Sequence, residues 1–171
     1  MPMTRARHTL NTCLLSLIVL YFLPVFFFSA QAKGIEQTHH DAGSYRIHYS
    51  VFNSRFISEN TAAALGIVRS PSEAIVTIAS TRKRHDEGSA MDSYSLGLKA
   101  EVTGNARNLM QQSYPLTFTP VEENGVIYYL ARLDHINEEV FHFDIRVLPL
   151  DEEGATPITF SFSRKLHIEN D

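Results

Sequence analysis

The chain has 171 residues, a formal charge of −4, no tryptophan and one cysteine. That is the length of a single domain, without the basic excess that a nucleic-acid or anionic-membrane surface demands. The lone Cys13 excludes a disulfide framework and leaves apolar burial to stabilise the fold.

Arg5 and Arg7, an apolar run from Leu10 to Phe28 and the small-x-small triplet Ala30-Gln31-Ala32 read as a secretory signal peptide spanning 1–32; the alternative is an uncleaved membrane anchor, against which stand Pro24 inside the run and the small residues after it. Leu10-Asn11-Thr12 before Cys13 lacks the small residues of a lipidation site. Cleavage after Ala32 leaves 139 of the 171 residues, removes two arginines and shifts the formal charge to −6. No later apolar run reaches the ~20 residues needed to span a bilayer, so no membrane contact is expected after cleavage.

Residues 33–42 are polar and aperiodic, and are expected to be a flexible segment; residues 43–169 form the domain. Tyr45, Ile47, Tyr49 and Val51 alternate with Arg46, His48 and Ser50 as a first strand. Ser58 is placed to cap a short helix through Glu59–Leu65, with Gly66 at its C-terminal end. Ala74–Ala79 is a nearly continuous apolar strand, and Arg82–Gly88 a charged connection. Leu96, Leu98, Ala100 and Val102 alternate as a third strand ending at Gly104, after which Asn105–Asn108 reads as a turn.

Two apolar runs flank Asn124-Gly125, a dipeptide suited to a two-residue hairpin turn. A third run, Phe141, Phe143, Ile145 and Val147, alternates with His142, Asp144 and Arg146, so Leu116–Leu148 reads as a three-stranded meander. Ile158, Phe160 and Phe162 form a last strand. The expected fold is an immunoglobulin-like antiparallel β-sandwich of about seven strands with one short helix, lacking the cysteine pair and tryptophan of true immunoglobulin domains; a barrel is the second reading.

Several separated segments resemble, in order, a family of small exported gammaproteobacterial proteins known only as a domain of unknown function. They are Gly43–Tyr49 with Phe52-Asn53-Ser54, Ala64–Ser70, Val102–Leu109 and Ile127–Ala131. The resemblance implies a periplasmic, sandwich-like domain and transfers no activity and no catalytic residue.

His39-His40-Asp41 contains metal-ligand types, but a polar flexible segment does not preorganise them. His142 and Asp144 can form a general-base pair, yet no motif ties a serine or cysteine to them. Neither a cofactor nor a metal is expected. Two site candidates remain. Across the Asn124-Gly125 turn, Val121, Tyr128 and Leu130 collect on one face, beside a Pro120 that marks an edge, and form a partner-docking face if the helix leaves them open. Arg69, Asn105, Arg107 and Asn108 form the candidate polar site, although such residues more often serve their own turns. The expectation is a non-enzymatic periplasmic module binding a protein partner. A carrier of a small ligand or metal is the second reading.

Overall fold

The period-two rows expected from the sequence build two facing antiparallel sheets. The computed structural model describes residues 38–84 and 93–168; the expected signal peptide and residues 85–88 of the expected charged connection lie outside the described residues, while Arg82–Arg84 of that connection belong to a strand. Strands β1 (His39–Ala42), β2 (Tyr45–Asn53), β3 (Glu73–Arg84), β8 (Val126–Asp134) and β7 (Thr119–Glu123) lie in that order in one sheet, with the short β4 (Ser93–Tyr94) beside the end of β3. The other sheet has the order β10 (Ile158–Leu166), β9 (Glu139–Pro149), β5 (Ala100–Asn108), β6 (Ser113–Leu116). The antiparallel sandwich is thus observed, with ten strands among the described residues rather than about seven, and the expected short helix, α1 (Glu59–Leu65).

Alternation places the core. Phe141, Phe143, Ile145 and Val147 of β9 are buried, and they face Ile47 and Tyr49 of β2 and Val76 and Ile78 of β3 in one apolar cluster. Aromatic rings cross the interior: Phe162 stacks on Tyr49 at 4.4 Å and on Phe143 at 4.8 Å between centroids. Such offset pairs add to what their buried area contributes.

Four expectations are corrected. The hairpin register holds, with Val121 opposite Tyr128 and Thr119 opposite Leu130, and Asn124 and Gly125 at positive φ (53° and 77°). The meander does not: β9 pairs with β10 and β5, in the opposite sheet from β8. A period-two row states which face is buried, not which strand lies alongside. Second, the Leu116–Glu123 run is split. Pro115 and Pro120 flank a change of sheet at Thr117-Phe118, so β6 pairs with β5 and β7 with β8. Third, Asn105–Asn108 is the end of β5 rather than a turn. Ala106 is fully buried opposite Phe143, which points Asn105 and Arg107 outward. Fourth, His39–Ala42 is a strand, held by four register pairs to β2 and by Arg46 on both oxygens of Asp41 (2.6 and 2.8 Å).

The strands bordering open edges carry features that discourage further pairing. β1 has four residues, Pro120 and Pro115 interrupt β7 and β6, and Arg164 of β10 sits opposite Phe141 on the inward register.

Candidate functional site

Ser58 and Gly66 act as the sequence requires of helix ends. The Ser58 hydroxyl accepts the Thr61 N–H at 3.1 Å, and Gly66 is left-handed at φ 63°. The whole β2–β3 connection is tied down beneath α1. Ser54 is fully buried; its Oγ accepts the Ser70 N–H at 2.9 Å and has the Ser70 and Val68 carbonyls at 3.0 and 3.2 Å as acceptors. Asn53 donates to the Pro71 carbonyl at 2.6 Å. Arg69 is the clasp of this segment: its guanidinium donates to the Arg55 carbonyl (Nη2, 2.8 Å) and to Glu59 (Nη1, 3.0 Å).

This connection covers most of the apolar face proposed for docking. Ile57, Ala62 and Ile67 close over Ile75 and Leu130, with Val121, Tyr128, Phe52 and Leu65 partly buried around them. Leu130 is therefore taken up by packing, while Val121 and Tyr128 sit at the margin. Burial, then the hydrogen bond to Glu123 (3.0 Å), pushes the Tyr128 hydroxyl above its ordinary pKa. Beside this margin a recess of about 330 Å³ is lined by Leu65, Ile67, Pro115, Thr117, Thr119, Leu130 and Arg132. Arg132 Nε and Nη2 both donate to one oxygen of Glu73, at 2.9 and 2.5 Å. The other Glu73 oxygen is buried without a partner.

The four candidate polar residues do not form one site. Arg69 belongs to the β2–β3 connection, whereas Asn105 and Arg107 lie on the outer face of the β10-β9-β5-β6 sheet. Rows of outward residues cross that face: Thr103, Arg146 and Thr159; Asn105, Asp144 and Ser161; Arg107, His142 and Ser163. Arg107 reaches Asp144 at 2.8 Å, and Ser161 donates to it at 2.7 Å. The Ser161 hydroxyl, then Arg107, holds the Asp144 carboxyl below its ordinary pKa. His142 Nδ1 lies 3.0 Å from Ser163 Oγ, and its Nε2 lies 3.5 Å from Asp144. These serines were not assigned from sequence because the β9–β10 register was unreadable; their outward alternation was the available signal. The set has the membership of a nucleophile–base–acid group. It stands on an open face, however, with His142 and Asp144 nearly half exposed (47% and 43%). Water there weakens the electrostatic stabilisation on which acyl transfer chiefly relies.

Asn108 serves the β5–β6 turn. Its Oδ1 accepts the Met110 and Gln112 N–H groups (3.1 and 3.0 Å), and its Nδ2 donates to Glu139 (3.0 Å). This turn lies at the same end of the sandwich as the β2–β3 and β8–β9 connections. Five apolar side chains stand exposed on those three connections: Leu109 (77%), Met110 (75%), Ile136 (70%), Phe56 (68%) and Val68 (66%). Gln111 and Glu138 hold positive φ there (64° and 59°), a conformation uncommon for residues other than glycine. The sequence reading missed this group. Its signal was apolar residues inside otherwise polar, turn-rich stretches.

His40 stacks on Phe160 (5.1 Å), and the His39 and His48 rings are 6.3 Å apart. Among the described residues no three His, Cys, Asp or Glu side chains are grouped to hold a metal. Nor is any helix among them long and apolar enough to cross a membrane.

A family model described as "Domain of unknown function (DUF4426)" matches residues 39–169. The chain belongs to this family. A crystal structure of a DUF4426 family protein from Pseudomonas aeruginosa PAO1 is 31% identical, with a TM-score of 0.62 over 77% of this chain and 95% of that one. FetP of uropathogenic E. coli strain F11, expressed in the E. coli periplasm, matches with a TM-score of 0.52 at 12% identity, over 77% of this chain and 94% of that one. This second likeness is one of fold alone. No curated protein matches the chain. The DUF4426 assignment therefore adds a family and a fold to the site geometry, and leaves function to be argued from the residues.

Proposed function

We propose that this DUF4426 protein is a non-enzymatic accessory module of the periplasm, exported through its leader and acting by contact with a protein partner. One observation carries the reading: Leu109, Met110, Ile136, Phe56 and Val68 are each exposed, on connections that lie at the same end of the sandwich. Isolated exposed apolar residues are ordinary, but a group of them marks an interaction surface.

The connections that present them are cross-linked. The Glu139 carboxylate takes Asn108 on one oxygen and the Ile136 N–H on the other. The His135 N–H donates to the Ser72 carbonyl at 2.9 Å, and Asn137 accepts the Ile168 N–H at 2.9 Å. Preorganised loops lose little entropy on docking, so their apolar groups contribute more fully to affinity. The signal-like leader accords with the location.

Affinity purification of the tagged protein from the periplasm of its native host tests the reading. A specific partner is expected with the wild-type chain and with Leu150→Ser at the opposite end, and its loss with combined Leu109→Ser, Met110→Ser and Ile136→Ser. Equal recovery with all three chains contradicts it.

A further inference from the structure

We propose that the recess beside α1 binds an aliphatic carboxylate, with its hydrocarbon part on Leu65, Ile67, Pro115 and Leu130 and its head group at Arg132. This inference is independent of the loop-end surface.

The recess has the size and composition of a small-ligand site. About 330 Å³ lies within the range of such pockets. Its apolar lining is aliphatic, with no aromatic ring among the lining residues. Thr117, Thr119 and Arg132 are the polar residues of the lining, which includes no Asp or Glu. Glu73 and Asp134 offset the Arg132 charge from outside the lining, so the preference for a carboxylate head rests on the N–H donors of the guanidinium rather than on net charge.

Arg132 is both fixed and under-used. Its Nε and Nη2 converge on a single oxygen of Glu73, a side chain only 5% exposed, while its own side chain is 50% exposed. A fork-to-fork pair would engage both carboxylate oxygens. Here Glu73 Oε1 is left buried without a partner, and the remaining N–H groups of the fork are not spent on Glu73. Glu73 thus anchors the guanidinium at the recess, and a second carboxylate completes its coordination. The threonine hydroxyls then donate to the other oxygen of the ligand.

The recess is assembled from the α1 segment, the sheet-changing link around Thr117 and strand β8. A free medium-chain fatty acid and the C-terminal leucine of a peptide present the same chemistry. Heteronuclear NMR titration of the full mature chain with decanoate, N-acetyl-leucine and decylamine separates the possibilities. Shifts confined to residues 65–67, 115–119 and 130–132 are expected with one or both carboxylates and not with decylamine. Decanoate alone indicates a fatty acid; N-acetyl-leucine alone indicates a peptide terminus.

Arg132→Gln is expected to weaken binding at least ten-fold. That variant also strands the buried Glu73, so Thr119→Trp, at an exposed position on the rim, serves as the second. It retains the Arg132–Glu73 pair, fills the recess and is expected to abolish binding while the fold persists. Absence of binding by both carboxylates, equal binding of decylamine, or unchanged affinity in Thr119→Trp overturns the proposal.

Discussion

Asn108 and Glu139, at the ends of β5 and β9, are joined by a 3.0 Å hydrogen bond from Nδ2 to Oε1. The second Glu139 oxygen accepts the Ile136 N–H at 2.9 Å, so one carboxylate couples the turns that carry Met110 and Ile136. Asn108 is buried and also holds the Met110 and Gln112 N–H groups. Asn108→Ala strands these donors and is expected to cost about 1–3 kcal/mol in chemical denaturation. It should also speed hydrogen exchange at Met110 and Gln112 relative to the sheet cores.

Ser54 performs the same office for the β2–β3 connection. Its fully buried hydroxyl satisfies the Ser70 N–H and a carbonyl of the same loop. Ser54→Ala removes both interactions, with an expected loss of about 1–3 kcal/mol. Hydrogen exchange at the Gly66 and Ile67 amides, which bond to Ala63 and Ala62 carbonyls, should speed up as the α1 cover loosens, whereas Ser58→Gly should cost only a few tenths of a kcal/mol.

Gly97 marks a close approach of two chain segments. A Cβ there would stand 2.2 Å from the Ile127 carbonyl oxygen and 3.0 Å from the Ile127 nitrogen. These are backbone atoms, so relief requires strand β8 to move. Gly97→Ala is expected to destabilise by about 1–3 kcal/mol in thermal or chemical unfolding.

Asp144 and His48 both make the fold weaken with acid, and Asp41, held below its ordinary value by Arg46, adds to the lower slope. The Asp144 carboxyl is depressed below its ordinary value of 3.8 by Ser161 and Arg107. Its contribution is present above pH 3.8 and lost as pH falls through the lower folded value. Burial, then Arg46, lowers His48 below 6.5. The unfolded chain therefore binds the His48 proton more readily, and stability falls as pH drops from about 6.5 toward the folded value. Denaturation measured from pH 7 to 3 should show both slopes. His48→Gln should flatten the upper one, and Asp144→Asn the lower, each by only a few tenths of a kcal/mol because these groups are half exposed.

Face was legible in the sequence where neighbour was not. The row Phe141, Phe143, Ile145, Val147 specified a buried side, and Asn124-Gly125 specified a hairpin with its register. Pairing between distant strands has no local signal, so the sequence places β9 beside β8, whereas its partners across the sheet include Ala106 and Gly104 of β5. Asn105–Asn108 reads as a turn because asparagine favours left-handed and self-bonded backbone; burial of Ala106 against Phe143 overrides that preference. The pairing of Asp144 with Ser161, and of His142 with Ser163, depends on the same distant register. The Leu109, Met110 and Ile136 surface escaped notice because its members are far apart in the chain and only the two-sheet topology gathers them.

The most direct test of the docking surface is site-specific photocrosslinking in the native host's periplasm. A photoreactive residue is placed at Met110 on one chain and at Leu150, at the opposite end, on another. A discrete adduct from position 110 that is absent from position 150 is the result expected. No adduct at 110, or the same adducts from both ends, contradicts the account.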